Sequence, residues 1–360
     1  MKSSAFFSIF PPTKYVSMSS VGIDISDQSL RYVELLPCRG GLKLGRFGEK
    51  KVPPGVMLSG KISDTKKMIE ILSELKKEVK INFVRVSLPE EQIYLYKTKI
   101  PILKNDEIKN ALELQLEEHI PISPHDAVFD YDLVKSTEDS YEIEVAAINE
   151  TTVETYTEIF HKAGLMPLSF ELEASAIARA IVLNGTKGTI LFVDFGETRT
   201  GISVVTDGIV QYTSTVDIGG SMLTSMIQKE MNLSYEQAEA MKKKNGLIRG
   251  TDGVELSTVL LGAISILRDE INKNFVYWHT HKDEDGNDRP KIEKIILCGG
   301  DSNLKGLVDY LETSMRLPIV LGDVWVNINK SKEFVPEIFF GDSLSYVTAL
   351  GLALGDFTND

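Results

Sequence analysis

Positions 190–205 read ILFVDFGETRTGISVV. An apolar run that reads as a buried strand ends on a carboxylate, turns through Gly196 and becomes a strand again. An Asp at the tip of a buried strand is costly unless something there needs its charge. The same arrangement occurs near the front of the chain, in VGIDISDQSLRYVEL, where Asp24 stands two positions before a small residue, Ser26, as Asp194 stands two before Gly196.

The order of elements around these two motifs repeats. From Val21 to about Leu88 the runs VGIDIS, LRYVELL and LKLGRFGEKKV predict three antiparallel strands, DTKKMIEILSELKKEV a helix, and NFVRVSL a further strand. From Gly188, TILFVDFG, TGISVVTDG and IVQYTSTVD predict three strands, followed by the helix SMLTSMIQKEM. A long helical region comes next, containing SYEQAEAMKKK and VELSTVLLGAISILRDEINKNFVYW, then the buried strand IEKIILCGG, a helix from Leu304 to about Met315, and PIVLG. Between the halves, from about Gln92 to Pro167, lies a third unit. It holds the helix NDEIKNALELQLEEH, stopped by Pro121 and Pro124, the acidic strands DAVFDYDLV and YEIEVAAI, and the helix TVETYTEIFHKAG. The chain is therefore half one, an inserted α/β unit, then half two, a structural duplication without a sequence repeat.

At 360 residues, 42% hydrophobic and 25% charged, the chain can build two substantial cores. Its net charge of −13 opposes non-specific nucleic-acid binding, and no basic run with interleaved aromatics offsets it. Two distant cysteines, Cys38 and Cys298, have neither metal nor redox spacing and suit a reducing cytoplasm. The start, MKSSAFFSIFPPTKY, is too short in its apolar part for a secretion signal, and no stretch reaches the roughly 20 apolar residues of a membrane span. Direct membrane insertion is not expected.

If a pseudo-twofold relates the halves, the two hairpins face each other and their turn amides can cradle a polyphosphate from both sides. Asp24 and Asp194 would hold Mg²⁺ through water, and hydroxyls of Ser29, Thr198 and Thr200 would point at phosphate oxygens. A second signal is LCGGDSNLKGLVDYL, in which Gly299 and Gly300 let the backbone approach a flat ligand and Asn303 or Ser302 caps a helix. A third is VDIGGSMLTSMI, where Gly219 and Gly220 open a helix whose amino end suits a phosphate or a ribose. Short polar residues also begin turns well, so each Asp has a plain alternative.

The order Asp-x-small, Glu-x-x-Ala, Asp-x-Gly-x-x-x-Thr, Gly-Gly, Gly-Gly and a closing Ala-Leu-Gly-Leu-Ala resembles the actin, Hsp70 and sugar-kinase superfamily. Within it, PPTKYVSMSSVGIDISDQSLRYVEL, HIPISPHDAVFDYDLV, HKAGLMPLSFELEASAIARA and LCGGDSNLKGLVDYLE resemble the PilM family of type IV pilus assembly proteins, relatives of the division protein FtsA. The similarity runs from about Pro11 to the end. It implies an α/β fold of duplicated, ribonuclease-H-like actin lobes with an inserted FtsA-like middle subdomain. The first lobe would span 19–91, completed by 168–187 and 336–360. The inserted partner-binding subdomain would span 92–167. The second lobe would span 188–335, with a helical insertion around 220–290.

The resemblance also implies ATP and Mg²⁺ between the lobes, with Asp24 and Asp194 flanking the metal. Ser26, Ser29, Arg31, Gly196, Thr198 and Thr200 would lie on the phosphate side, Gly219 and Gly220 at a phosphate or ribose, and Gly299, Gly300 and Asn303 would contact the adenosine. Glu239 and Lys242, in AEAMKKK, match the Ala-Glu-x-x-Lys helix that meets ribose and adenine in bacterial actins, and Glu173 matches the carboxylate that orients the attacking water. The implied partner is the cytoplasmic amino-terminal tail of a PilN-like single-pass inner-membrane protein, which would hold this cytoplasmic chain at that membrane; self-association is a further implication. The chain departs from the pattern at Ser26, Asp27, Gln28 and Glu197, and Arg31 replaces a Lys. Added negative charge near the phosphates weakens transition-state stabilisation, so binding with slow or negligible hydrolysis is expected.

Other residues have plainer readings. His279 and His281, before a polar loop without a second ligand cluster, read as solvated. Cys298 reads as a small buried residue behind the Gly pair, and Cys38 as a turn residue. Leu112, Leu114, Leu116 and Ile120 read as the face that packs their helix on its own unit. Two other functions share the superfamily's pattern: a small-molecule (sugar-type) kinase, and a filament-forming FtsA-like division protein.

Overall fold

Two five-stranded sheets of the same topology carry the fold. The computed structural model describes residues 19–248, 254–283, 286–329, 331 and 333–357, so the amino-terminal Pro11-Pro12 stretch and the last three positions lie outside it. The first sheet has the order β10-β6-β1-β2-β3, from β1 (Val21–Ile25), β2 (Ser29–Cys38), β3 (Gly41–Lys51), β6 (Phe83–Leu88) and β10 (Met166–Leu172). Two short strands, β4 (Met57–Leu58) and β5 (Lys61–Ile62), form a separate hairpin. The second sheet has the order β13-β12-β11-β14-β15, from β11 (Thr189–Phe195), β12 (Thr200–Thr206), β13 (Ile209–Val216), β14 (Ile292–Cys298) and β15 (Ile319–Leu321). In each, the first strand pairs antiparallel with the second and parallel with a later one.

That placement explains the apolar runs. β1 and β11 lie inside their sheets with both faces covered, so Ile190 to Val193 need no polar alternation. Between the sheets lies a shared core built around two helices, α4 (Glu173–Ile181) and α10 (Val347–Leu354), which joins Val33 and Leu35 to Phe192 and Val205. The helices reach the strands closely because glycines stand at the contacts. A Cβ on Gly22 would lie 2.2 Å from the Ala349 carbonyl oxygen, and one on Gly351 would lie 1.8 Å from that of Ala176.

The outer faces are covered by amphipathic helices. On the first sheet, α1 (Thr65–Val79) buries Met68, Ile71, Leu72, Leu75 and Val79, the stripe expected of a 3.6-residue period, and Asp64 caps its amino end by accepting from the Lys67 amide at 2.9 Å. On the second, α5 (Gly220–Met231), α6 (Tyr235–Asn245), α7 (Val254–Thr280) and α8 (Leu307–Met315) share a core with Leu191 and Val193.

A three-stranded sheet, β7-β9-β8, stands apart with its own helix. Its strands are β7 (Ile93–Pro101), β8 (Ala127–Ser136) and β9 (Ser140–Asn149), and α2 (Asn105–His119) packs Ile108, Leu112 and Leu116 against Ile143, Val145 and Ala147. Leu114, expected in that face, points to solvent at 84% exposure. The following helix, α3 (Glu150–Lys162), reads by sequence as part of the same unit, yet Tyr156, Ile159 and Phe160 pack with Ile23, Leu72 and Val84 in the core of the first sheet. The chain then enters β10, an outer strand of that sheet. Among the described residues no helix is long and apolar enough to cross a membrane.

Candidate functional site

The tips of β1 and β11 open into one cleft of about 800 Å³ between the two sheets. Each tip turns in the same way: the Ser26 amide donates to the Ser29 carbonyl at 2.8 Å, and the Gly196 amide to the Arg199 carbonyl at 3.0 Å. The hairpins meet directly. Thr198 Oγ1 donates to Asp27 Oδ2 at 3.4 Å across 171 positions of chain, and Asp27 Oδ1 accepts from the Gly60 amide at 3.2 Å. Asp27, which the sequence offers only as a departure, braces the first turn against both neighbours.

Asp24 and Asp194 both line the cleft. Asp24 lies opposite Arg31 in the β1–β2 ladder and accepts from Ser87 Oγ at 2.9 Å. Burial raises its pKa against the pull of Arg31. Burial, and then the charge of Asp24, push Asp194 up to about 6. The chain approaches Asp194 through Gly299, whose φ is +87° and whose Cβ would fall 2.4 Å from Asp194 Oδ1. Glu173, the first residue of α4, faces the same space, and burial raises its pKa well above the ordinary value.

Of the other expected residues, Ser26, Ser29, Arg31, Gly196, Thr198, Glu239, Lys242, Gly299, Gly300 and Asn303 line the cleft. Three do not. Thr200 is fully buried and its hydroxyl donates to the Ile218 carbonyl at 2.6 Å, so it fastens the strand and offers nothing to a ligand. Gly219 and Gly220 lie behind the second hairpin, where the amides of Gly220 and Ser221 donate to the carbonyls of Gly196 (3.0 Å) and Glu197 (2.8 Å). These glycines permit close approach: a Cβ on Gly219 would lie 2.4 Å from the Glu197 carbonyl oxygen, and one on Gly220 about 2.0 Å from the Asp301 carboxylate. The amino end of α5 is thus used to hold the turn.

Lys242 is 2% exposed and reaches Asp301 at 2.7 Å, Glu239 at 2.9 Å and the Gly220 carbonyl at 3.0 Å. The helix expected to start near Leu304 starts at Leu307; Ser302 Oγ instead donates to the Cys298 carbonyl, and Asn303 Nδ2 to that of Gly341. Cys298 is buried, and burial raises its thiol pKa. Cys38 ends β2, and Asn329 Nδ2 lies 3.3 Å from its sulfur. His279 is inside α7, its Nδ1 on the Phe275 carbonyl at 2.8 Å, while His281 just follows the helix.

Sequence reasoning missed Glu90, Arg199 and Asp301. Glu90 follows the end of β6, as Asp24 ends β1, and that position was the available signal; burial and the charge of Asp194 push it up to about 8. Arg199 sits in the quoted hairpin and pairs with Glu91. Asp301 is the residue after the Gly pair.

Chemically the cleft is crowded with acids: among the described residues ten carboxylates line it against four cations, Arg31, Arg199, Lys242 and Lys243. Two buried polar atoms there, Arg31 Nε and Ser203 Oγ, have no hydrogen-bond partner among the described residues, which suits an anionic, hydrogen-bonding ligand. Among the described residues no three His, Cys, Asp or Glu side chains could hold an ion by themselves. A hard cation here would share its coordination with water and with the ligand's own oxygens.

The family described as type IV pilus assembly protein PilM matches residues 22–357 of the chain. Cell division protein FtsA of Neisseria meningitidis serogroup B is 24% identical over 190 residues, 48% of this chain and 45% of that one, so the match spans about half the length of that curated relative. Among solved structures, a PilM-PilN type IV pilus biogenesis complex superposes with a TM-score of 0.79 at 20% identity, covering 95% of this chain and 99% of the other. MreB5 of Spiroplasma citri bound to ADP superposes with a TM-score of 0.54 at 13% identity, covering 86% and 94%. The fold is the actin-like one.

Proposed function

The chain belongs to the PilM family of type IV pilus assembly proteins, and from that premise we propose that it is a cytoplasmic, nucleotide-binding scaffold that binds the tail of a membrane protein. The observation that carries this reading is the meeting of two acid-tipped turns in a single cleft, fastened by Thr198 and Asp27. A triphosphate lies between the turns, with the backbone amides that follow Ser26 and Gly196 and the Arg31 guanidinium turned toward it, while the Thr198 hydroxyl stays on Asp27 and holds the two turns together. Asp24 and Asp194 hold Mg²⁺ through water. Gly299, Gly300 and Asn303 receive the adenosine, and Glu239 with Lys242 braces its ribose side. The MreB5 relative was solved with ADP, which supports an adenine nucleotide.

Charge favours a metal. Ten acidic side chains against four basic ones oppose a bare polyphosphate, and a divalent cation that arrives with it offsets part of that charge. The same surroundings argue for slow turnover. Burial disfavours the charged form of Glu173 and raises its pKa well above the ordinary value, and the added negative charge of Asp27 and Glu197 near the phosphates opposes transition-state stabilisation.

The inserted sheet supplies the partner surface. Among the described residues β8 pairs only with β9, so its far edge can accept an extended segment. Between that strand and α3 runs a groove with Val128 and Val153 on its apolar side and Glu150, Glu154 and Glu158 along α3, ending at His161 and Lys162, which pairs with Glu158. The apolar side and the acidic stretch at Glu150 and Glu154 suit an extended peptide bearing basic residues. A PilM-PilN complex among the relatives supports assigning it to the cytoplasmic tail of a PilN-like protein, which would tether this chain at the inner membrane. Closure of the cleft would alter the groove only as far as the tail binds the two states unequally.

Strand register provides the test. Tyr94 and Ala147 are neighbours across β7 and β9, so residues 95–146 can be replaced by an Asn-Gly turn that keeps α3 and β10 in the first sheet. The shortened chain should bind Mg²⁺-ATP in calorimetry as the full chain does and lose the tail peptide. Retained peptide binding places the partner elsewhere; a folded product without nucleotide binding contradicts the division of labour.

A further inference from the structure

Charge is unevenly placed on this acidic molecule. From Arg39 to Asn82 there are eleven Lys and Arg against five Asp and Glu, a net of +6 in a chain of −13. The fold gathers part of that excess at one spot. The carboxyl end of α1 forms a surface pocket of about 590 Å³ lined by Ser73, Lys76, Lys77, Lys80, Asn82 and Ala163. Two cations of β3 stand beside it, each already paired: Lys50 with Glu78 at 2.7 Å, and Arg46 with Glu34, from where it also donates to the Val79 and Lys80 carbonyls at 2.6 and 2.9 Å.

Cations near a helix carboxyl terminus usually serve its dipole and free carbonyls. Here that work is done by others. Arg46 already meets the last carbonyls, and Lys76 donates to the Gly164 carbonyl at the end of α3. The ammonium groups of Lys77 and Lys80 are exposed and make no hydrogen bond or ion pair among the described residues. They are positive charges without a structural use on the surface of a protein that is otherwise acidic.

We propose that the α1–β3 face, centred on Lys76, Lys77 and Lys80, docks on the anionic headgroups of a phospholipid bilayer. Location decides the occupant. His161 and Lys162 line the groove along α3, and Ala163, the next residue, lines the lysine pocket. A tail that emerges from a membrane into that groove brings the lysine pocket beside the same bilayer. The lipid assignment rests on the proposed function for this choice of side alone; vesicle binding can be measured without tail or nucleotide. Clustered lysines near an anionic surface act additively, about fivefold in affinity for each. The attraction decays within a Debye length.

The test is sedimentation of the full chain with vesicles of phosphatidylglycerol and phosphatidylethanolamine, and with vesicles of phosphatidylcholine alone. The chain should pellet with the anionic vesicles only and be released at about 0.5 M salt, where the Debye length is a few Å. K77E/K80E leaves the Lys76–Gly164 bond in place and should melt as the parent does while binding anionic vesicles at least tenfold more weakly. Equal binding to both lipids, or anionic binding indifferent to K77E/K80E, overturns the proposal. Lysine-dependent binding of inorganic pyrophosphate or duplex DNA by a chain that ignores the vesicles overturns the lipid assignment as well. Because neither arm contains ATP or the tail peptide, failure here leaves the nucleotide and groove readings standing.

Discussion

Glu90 shows how the site's electrostatics enter at the level of one side chain. It is buried beside Asp194, its carboxyl held by the Ala174 amide, and its pKa is pushed from an ordinary 4.5 to about 8. In the unfolded chain it loses its proton near the ordinary value, so between these limits folding takes up a proton. Stability therefore falls as pH rises through that window and levels off above about 8. Glu90→Gln keeps the acceptor and removes the titration. The variant should be more stable than the parent, by a margin that grows to a few kcal/mol between about pH 5 and about pH 8.5, read as the difference in Tm at the two values. A margin independent of pH contradicts the burial of an ionisable Glu90. Beyond its place after the end of β6, nothing in the sequence marks this residue, for a physical reason. Its neighbours Asp194 and Ala174 are far away along the chain, and only the sheets bring them to the end of β6. Asp24 and Asp194 were legible because each contradicts its own surroundings: a charge at the end of an apolar run shows in a single segment.

At the scale of elements, the hairpins could be read and the helix ends could not. Strand type follows from local runs of buried side chains, which is why β1 to β3 and β11 to β13 lie where the apolar pattern puts them. How a helix end is used depends on what packs against it. The amino end of α5, at Gly219 and Gly220, was expected to meet a ligand, and the amides of Gly220 and Ser221 are spent on the carbonyls of the second turn. Allegiance is set the same way: α3 follows the inserted strands in sequence, yet its apolar face matches the first sheet. The contact between α4 and α10 offers the sharpest test of packing. Gly351→Ala would drive a Cβ to 1.8 Å from the Ala176 carbonyl oxygen, which is backbone and cannot turn aside. It should cost about 2 kcal/mol or more in urea denaturation. Gly262→Ala, inside α7 with nothing within 4 Å of the new methyl, should instead stabilise by about 0.5–1 kcal/mol. Similar effects from both would mean that the two helices do not touch as described.

For the molecule as a whole, the duplication was legible from the order of elements, because two halves that repeat strand, strand, strand, helix and strand build two sheets of one topology. The bonds that hold the units together were not. Lys97 with Gln211 ties the inserted sheet to the second half, while Arg199 with Glu91 and Thr198 with Asp27, each joining residues more than a hundred positions apart, tie the two halves. They span the seam that a nucleotide would close, and they make the cleft a property of neither half alone. The most direct measurement is a crystal of the full chain grown with Mn²⁺ and a non-hydrolysable ATP analogue, with the cation located by its anomalous signal. The peak should lie within about 5 Å of the carboxylates of both Asp24 and Asp194, with water between, and the triphosphate should run between the turns at Ser26 and Gly196. A cation and triphosphate held by one sheet alone, or placed outside the cleft, would contradict the account.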